Sequence, residues 1–162
     1  MSSDLTFITN EAGIQNPNPH VQLIVALDER GEILNLDTVT NIVPKDEKVS
    51  LKLLLAFLNS TLLSWYAYKF IYCSAIRTMH FDKYYVGKLI IPKENSSHEE
   101  AIVKLVDRIL AAKQRDAEAD TSALEREIDE LVYALYGLTP EEKALVQAAS
   151  VQTPARQVAA AK

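Results

Sequence analysis

The chain has 162 residues, of which 48% are hydrophobic and 24% charged, values typical of a globular domain with its own core. Its net charge of −5 excludes a uniformly basic surface of the kind that binds nucleic acid, because such binding rests on cations that meet phosphates. The single cysteine, Cys73, excludes an internal disulfide, and we expect it to be a buried, small apolar side chain.

The first segment, residues 1–20, is polar and rich in turn-forming residues, so we expect a flexible lead-in. Its Asn16-Pro17-Asn18-Pro19 repeat is incompatible with a regular helix or strand. The N-terminus lacks the basic and apolar regions of a secretory signal peptide, and we therefore expect a cytoplasmic protein.

Three strands of a small mixed or antiparallel sheet are predicted next. Val21–Leu27 has the β-branched, mostly apolar composition of a buried strand, and Asp28–Gly31 after it suits a hairpin turn. We expect a return strand over Glu32–Leu36 and a third strand over Thr38–Val43.

Two buried helices are predicted after the sheet. Ser50 is a suitable cap for the first, which covers Leu51–Leu58 and is apolar on nearly every side. Ser60 is a suitable cap for the second, from Thr61 to about Tyr72. The uncharged run Leu53–Tyr68 has 16 residues, too few to cross a bilayer, so we expect no membrane span.

A helical hairpin is predicted in the C-terminal third of the chain. Ser97 and Glu100 have capping-box spacing at the start of its first helix, and Ser122 and Glu125 repeat that spacing at the start of the second. Each helix carries one apolar stripe with helical spacing. Gly137 is suited to end the second helix.

Together these elements predict an α+β fold. Thr139-Pro140-Glu141-Glu142 is expected to cap a short final helix, and residues 150–162 are expected to form a disordered tail. Between the lead-in and the tail, we predict that 21–93 unites the sheet, the buried helices and a basic loop, and that 94–149 is a helical subdomain.

The cations of this acidic chain are concentrated in one stretch. Residues 61–93 contain five cations and one anion, a local charge of +4, whereas 94–143 has a charge of −7. Within the basic stretch, Tyr84 and Tyr85 could stack on bases or donate hydroxyls to a phosphate backbone. The side chains suited to meet phosphates or base edges are Arg77, His80, Lys83 and Lys88.

A simpler interpretation of the same stretch stays open. Met79, Phe81 and one of the two tyrosines would fill the core, and the cations would only be solvated. Taken one residue at a time, this interpretation is favoured over DNA contact.

Catalytic motifs are not evident in the sequence. With four glycines there is neither a phosphate-binding loop nor a dinucleotide fingerprint, and His20, His80 and His98 are too isolated to predict a zinc site. Asp37 with Asp46-Glu47-Lys48 faintly resembles a metal-dependent nuclease set, but it lies between a strand and a helix. We therefore expect no catalysis, cofactor or metal in this chain.

Three short stretches together resemble a known family. They are Leu58-Asn59-Ser60 with Trp65-Tyr66, Ile76-Arg77-Thr78-Met79-His80-Phe81, and Lys88-Leu89-Ile90-Ile91-Pro92. The combination is similar to the closing part of the TaqI-like C-terminal specificity domain. In that family the domain is the target recognition module of restriction-modification enzymes, which join a DNA adenine methyltransferase, often with a nuclease, to a DNA reader. The run from Ala123 to Glu142 is similar to the helical tail of many such proteins, so the resemblance covers about Leu36–Ala149.

The resemblance implies sequence-specific recognition of double-stranded DNA by a fragment of a prokaryotic type II restriction-modification enzyme. For such a function, our own hypothesis assigns base-edge contacts to Arg77 and His80 and phosphate contacts to Lys83, Tyr84 and Lys88. The methyltransferase and nuclease motifs are missing from this chain. S-adenosylmethionine and magnesium are therefore implied only for the parent protein's other domains, which are also the expected protein partners.

A second hypothesis comes from a different class of function. The helical hairpin Ser97–Tyr136 would dock on another subunit of a multi-subunit assembly through its apolar stripes. Packing of the two stripes on each other within the chain is the simpler explanation for them.

Overall fold

A computed structural model describes residues 4–10, 22–33, 39–44, 49–74, 82–92 and 97–150 of the chain. Within these residues three strands form one antiparallel sheet, β1 (Asp4–Asn10), β2 (Gln22–Asp28) and β3 (Thr40–Ile42). β2 and β3 fall within the first and third predicted strands, allowing one residue at the end of β2. The helices packed on this sheet complete the predicted α+β fold.

β1 is the central strand of the sheet, so the order is β2, β1, β3. The register places Leu5 opposite both Leu27 of β2 and Ile42 of β3. This strand was not predicted, since residues 1–20 were expected to be a flexible lead-in. Its β-branched and aromatic residues favour a strand, but seven residues beside a polar, proline-containing stretch give only a weak local signal. The partners that hold β1 are far away in the sequence.

The turn after β2 is organised by one carboxylate. Asp28 accepts hydrogen bonds of 2.8–3.1 Å from the backbone N–H groups of Arg30, Gly31 and Ile33. Gly31 adopts a φ of +65°, which a glycine tolerates without strain. The predicted return strand is wrong at Glu32 and Ile33, which lie in a loop, and its remainder lies outside the described residues. The strand paired with β2 is β1 instead.

Helices make up most of the rest of the described structure. They are α1 (Leu51–Asn59), α2 (Thr61–Tyr66), a π-helical segment that continues α2 (Ala67–Ile71), α3 (Lys83–Val86), α4 (Ser97–Arg115), α5 (Ser122–Leu135) and α6 (Pro140–Ser150). The two predicted buried helices correspond to α1 and to α2 with its π-helical continuation. The predicted hairpin corresponds to α4 and α5. The wider π-helical turn was not predicted.

The serine caps predicted for the two buried helices are confirmed. The Ser50 hydroxyl accepts a hydrogen bond from the N–H of Leu53, and the Ser60 hydroxyl accepts one from the N–H of Leu63. Each serine thereby satisfies a backbone donor that the first turn of a helix leaves without an intrahelical partner. Because Ser60 lies between α1 and α2, it also sets the bend between them.

The outer edge of β2 is covered by side chains from these helices. Asn59 accepts a hydrogen bond from the N–H of Val25 and donates one to the carbonyl of the same residue, at 3.0 and 2.9 Å. The Ser64 hydroxyl accepts a further bond of 3.1 Å from the N–H of Leu23. An uncovered strand edge invites pairing with other chains, and here the junction of α1 and α2 closes it.

The start of α5 differs from the prediction by one residue. Thr121, rather than Ser122, is the N-cap residue, and its hydroxyl donates a 2.7 Å hydrogen bond to the Glu125 carboxylate. Asp120 accepts the N–H of Ser122. The predicted capping box of Ser122 and Glu125 is therefore wrong, because Glu125 accepts a bond from the side chain of Thr121 and the first-turn N–H of Ser122 is bound by Asp120.

The end of α5 and the start of α6 follow the predicted signals. Gly137 ends α5 with a φ of +66°. At the start of α6, Thr139 and Glu142 form a reciprocal capping box, in which each side chain accepts the backbone N–H of the other residue. Pro140 occupies the first helical position, where it removes no intrahelical bond. α6 ends at Ser150, and the predicted tail beyond it lies outside the described residues.

One cluster of buried side chains joins the sheet to helices from both halves of the chain. It includes Leu23 and Val25 of β2 and extends through α1 and α2 to Val146 of α6. The stripes of α4 and α5 belong to it, with buried residues Ile102, Leu105, Val106, Ile109, Ile128 and Val132. The apolar stripes of α4 and α5 therefore pack against other elements of the same chain. Across the described ranges, no helix combines the length and the apolar character that a membrane span requires.

Candidate nucleic-acid interface

The short helix α3 carries two of the five predicted contact residues, Lys83 and Tyr84, and a third, Lys88, lies in the turn directly after it. Asp82 caps it, because its carboxylate accepts hydrogen bonds from the N–H groups of Tyr84 and Tyr85 at 2.9 and 3.3 Å. Asp82, the one anion of the basic stretch, is thereby bound to backbone N–H groups at the start of α3. This role of Asp82 was not predicted, although an aspartate before a short helical run is a recognised capping signal.

Tyr84 and Lys88 form the exposed face of this element. They are four residues apart, and the Lys88 ammonium lies 4.0 Å from the centre of the Tyr84 ring and 5.6 Å from that of Tyr85. The Tyr84 side chain is 65% exposed, and Lys83 on the same helix is also exposed. We call Lys83, Tyr84 and Lys88 the α3 surface.

The cations of the α3 surface are available to an external anion. Among the residues that the structure describes, no carboxylate lies within ion-pair distance of Lys83 or Lys88. An unpaired ammonium gains more from a phosphate than one that must first leave a carboxylate. The arrangement therefore suits a phosphate backbone, with a tyrosine ring that restricts where the Lys88 ammonium lies.

Tyr72 fixes α3 to the core. It is 6% exposed at the end of the π-helical segment, and its ring centre lies 5.1 Å from that of the half-buried Tyr85. Burial raises the pKa of the Tyr72 hydroxyl above its usual value, with smaller contributions from Tyr85 and Asp82, so it remains neutral at physiological pH. The two adjacent tyrosines of α3 thus have different functions, since Tyr85 anchors the helix and Tyr84 faces outward.

The π-helical segment ends in an unusual turn. Cys73 and Ser74 both have positive φ values, 50° and 58°, and the N–H of Ser74 reaches back to the carbonyl of Tyr68. Left-handed backbone is costly for residues other than glycine and is found where surrounding contacts impose it. The prediction that Cys73 is buried is wrong, because this turn carries the backbone away from the core and leaves the thiol exposed.

An aromatic group flanks the same segment. Phe70 is 61% exposed and contacts the rings of Trp65 and Tyr66 at centroid distances of 5.6 and 5.2 Å. Lys69 beside it is exposed, with its ammonium 5.4 Å from the Tyr68 ring. The sequence predicted a buried helix here, whereas its C-terminal turn is solvent-facing at Lys69 and Phe70.

The other two predicted contact residues, Arg77 and His80, lie outside the described residues, as do Met79 and Phe81 of the simpler interpretation. The weak nuclease set around Asp37 also lies outside them. His98 is an exposed residue of α4. In the described ranges no three His, Cys, Asp or Glu side chains are grouped so that they could hold a metal ion.

Comparison with known proteins identifies one family. The sequence model of the TaqI-like C-terminal specificity domain matches residues 11–91, which is half of the chain. This match begins before the expected Leu36 and ends at Ile91, so it includes α1, α2 and α3 but not α4, α5 and α6. No curated protein and no solved structure matches the chain.

Proposed function

This chain belongs to the family of TaqI-like C-terminal specificity domains, whose role is DNA target recognition in restriction-modification enzymes, and from that premise we propose that it reads double-stranded DNA through the α3 surface and the segment that precedes it. Lys83, Tyr84 and Lys88 contact phosphates in this proposal. Arg77 and His80 contact base edges, where an arginine fork matches the acceptors of guanine.

The observation that carries this proposal is the α3 surface itself. An acidic protein presents two exposed lysines and an exposed tyrosine on α3 and the turn that follows it, and within the described part of the chain neither lysine has an ion-pair partner. The helix is anchored to the core through Tyr72 and Tyr85. An anchored cationic surface can fix the register of a domain on a duplex, because phosphate contacts position a protein while base contacts specify the sequence.

The finer parts of the proposal concern the parent protein. We infer that the chain is the recognition fragment of a cytoplasmic, prokaryotic enzyme that contains an adenine-specific DNA methyltransferase and, in some forms, a nuclease. Those domains would use S-adenosylmethionine and magnesium, and the fragment would catalyse nothing alone. The acidic helices α4, α5 and α6 are expected to face away from the duplex, because like charges repel.

The salt dependence of duplex binding tests the proposal. Each phosphate contact lowers the logarithm of affinity by about 0.9 per tenfold increase in salt. We therefore expect Lys88→Ala and Lys83→Ala each to reduce that slope by about 0.9 on a mixed-sequence 30-base-pair duplex, a length chosen as roughly three helical turns of DNA. Lys104→Ala, which removes an exposed lysine of α4, is the matched control and should leave the slope unchanged.

Two results would overturn the proposal. One is a wild-type chain whose duplex binding is undetectable or insensitive to salt. The other is an equal reduction of the slope by all three lysine variants, since this would mean that the α3 surface contributes nothing beyond general charge.

The docking-module hypothesis has no comparable support. It requires apolar stripes on α4 and α5 that are available to another subunit, whereas those stripes are buried within the chain itself. The DNA-recognition proposal is therefore the better supported of the two.

A further inference from the structure

A hydrogen bond connects α5 to the segment that follows α3. The Tyr136 hydroxyl donates to the backbone carbonyl of Ile90 at 2.5 Å, across 46 positions of sequence. Tyr136 lies beyond residue 91, where the family match ends, whereas Ile90 and the α3 surface lie within the match. The contact thus joins an element outside the specificity-domain match to the proposed DNA-binding element.

The donor is rigidly held. Gly137 and Leu138 donate their N–H groups to the carbonyls of Ala134 and Tyr133, the paired bonds that close a helix end after a left-handed residue. The Tyr136 ring also meets the edge of Phe57 in α1, with centroids 6.1 Å apart at 87°. Burial raises the pKa of the Tyr136 hydroxyl, so it retains its proton and stays a donor at physiological pH.

The acceptor is connected to the α3 surface by a short, hydrogen-bonded turn. The N–H of Lys88 bonds to the carbonyl of Tyr85 at 3.0 Å, and the N–H of Leu89 bonds to that of Val86 at 3.1 Å. Leu89 packs against the core. Only Leu89 separates Lys88 from Ile90, so a displacement of the Ile90 carbonyl would be passed directly to Lys88.

These contacts fix α3 at two points. Tyr72 holds the ring of Tyr85 on one side, and Tyr136 holds the backbone after Lys88 on the other. We propose that Tyr136 is a positioning residue for DNA recognition, which sets the location of the Lys88 ammonium relative to the phosphates. The C-terminal helices then take part in recognition without touching the duplex. This inference rests on the proposed function of the α3 surface.

Tyr136→Phe is the test, because it removes the donor and keeps the ring against Phe57. Thr139→Ala is the matched control, since it weakens the cap of α6 next to the same helix end and leaves the Ile90 contact intact. In the free protein, we expect amide hydrogen exchange at Lys88 and Leu89 to accelerate about two- to tenfold in Tyr136→Phe, the change that loss of one hydrogen bond produces. Thr139→Ala should leave those two rates unchanged.

Duplex binding supplies the readout that a merely structural role would not change. On the 30-base-pair duplex, Tyr136→Phe should reduce the salt slope in the same direction as Lys88→Ala, and the double variant should lose no more than Lys88→Ala alone. Thr139→Ala should retain the wild-type slope at temperatures well below its unfolding transition.

The possible outcomes separate a failure of the positioning role from a failure of the proposed DNA recognition. If the wild-type slope depends on Lys88 but Tyr136→Phe leaves exchange and slope unchanged, the positioning role is overturned and DNA recognition stands. Equal effects of Tyr136→Phe and Thr139→Ala would also overturn it, because they would reflect general destabilisation. If the wild type shows no salt-dependent binding, the proposed function fails, and the positioning role fails with it.

Discussion

Asp129 of α5 accepts two hydrogen bonds from Thr61, the first residue of α2, at 2.8 Å from its backbone N–H and 2.5 Å from its hydroxyl. Asp129 is 9% exposed, and its carboxylate lies at the N-terminal end of α2, where the helix dipole favours a negative charge. Thr61 lies within the family match and Asp129 lies outside it. This pair therefore stabilises the junction between the specificity-domain region and the C-terminal helices.

Removal of this carboxylate should destabilise the whole chain. We expect Asp129→Ala to lower the free energy of unfolding by about 2–4 kcal/mol, because two buried donors of Thr61 lose a charged acceptor. Urea denaturation followed by circular dichroism measures the change. Glu130→Ala, at the neighbouring exposed position, should cost about 1 kcal/mol or less, since its pairs with Lys143 and Gln147 are at the surface. Equal losses would contradict the assigned role of Asp129.

Asn59 offers a second test of the junction between sheet and helices. Asn59→Ala removes both hydrogen bonds to Val25 and a third to the carbonyl of Leu55. We expect a loss of about 2–3 kcal/mol in urea denaturation, because the covered strand edge is left with unsatisfied backbone groups. Ser50→Ala, an exposed cap, should cost about 1 kcal/mol. A loss for Asn59→Ala no larger than that would show that water satisfies the edge of β2.

The ionised carboxylate of Asp28 should stabilise the folded protein, and acid should remove that stabilisation. The hydrogen bond from the N–H of Ile33, followed by those from Arg30 and Gly31, holds the pKa of the Asp28 carboxyl below its usual 3.8. A lowered folded-state pKa adds stability that is present above the unfolded value and is lost as pH falls through the folded value. We expect Asp28→Asn to flatten the fall in unfolding free energy below about pH 4. Profiles of variant and wild type that stay parallel would refute this.

The conformation of Gly137 at the end of α5 predicts which substitutions at this position cost more stability. Gly137→Ala should cost about 1 kcal/mol, because a φ of +66° is unfavourable for a residue with a Cβ. An added Cβ meets no atom of the described residues within 4 Å, so the expected penalty is that of the backbone. Gly137→Asn should cost less, since asparagine tolerates this conformation better. Thermal unfolding would rank the three proteins, and an alanine variant as stable as wild type would exclude backbone strain at Gly137.

Arg77 is expected to read sequence rather than charge. Once a preferred duplex has been selected from a random pool, Arg77→Ala should reduce discrimination against other sequences by about 1–3 kcal/mol, the contribution of a bidentate base contact. Lys83→Ala should weaken preferred and random duplexes alike. Competition binding on both duplexes measures the two effects. An equal loss on both for Arg77→Ala would make it a phosphate contact or a structural residue.

Local signals in the sequence predicted several of the helix boundaries. Ser50, Ser60, Gly137 and the Thr139 capping box were all predicted, because a cap depends on side chains and backbone groups within one turn of each other. The one-residue error at Thr121 shows the limit of such signals, since adjacent hydroxyl residues compete for the same position. The family was also recognisable from three short stretches of sequence.

Contacts between distant residues were decided only by the tertiary structure. The central place of β1, the cover of β2 by Asn59, and the reach of Tyr136 to Ile90 each join positions more than ten residues apart. A sequence pattern does not show which distant positions lie close together in space. It could therefore assign Lys83, Tyr84 and Lys88 to a basic stretch, but it could not show which way their side chains face. Their orientation depends on the contact of Tyr72 with the Tyr85 ring and on the bond of Tyr136 to the Ile90 carbonyl, which both follow from how the helices pack on a shared core.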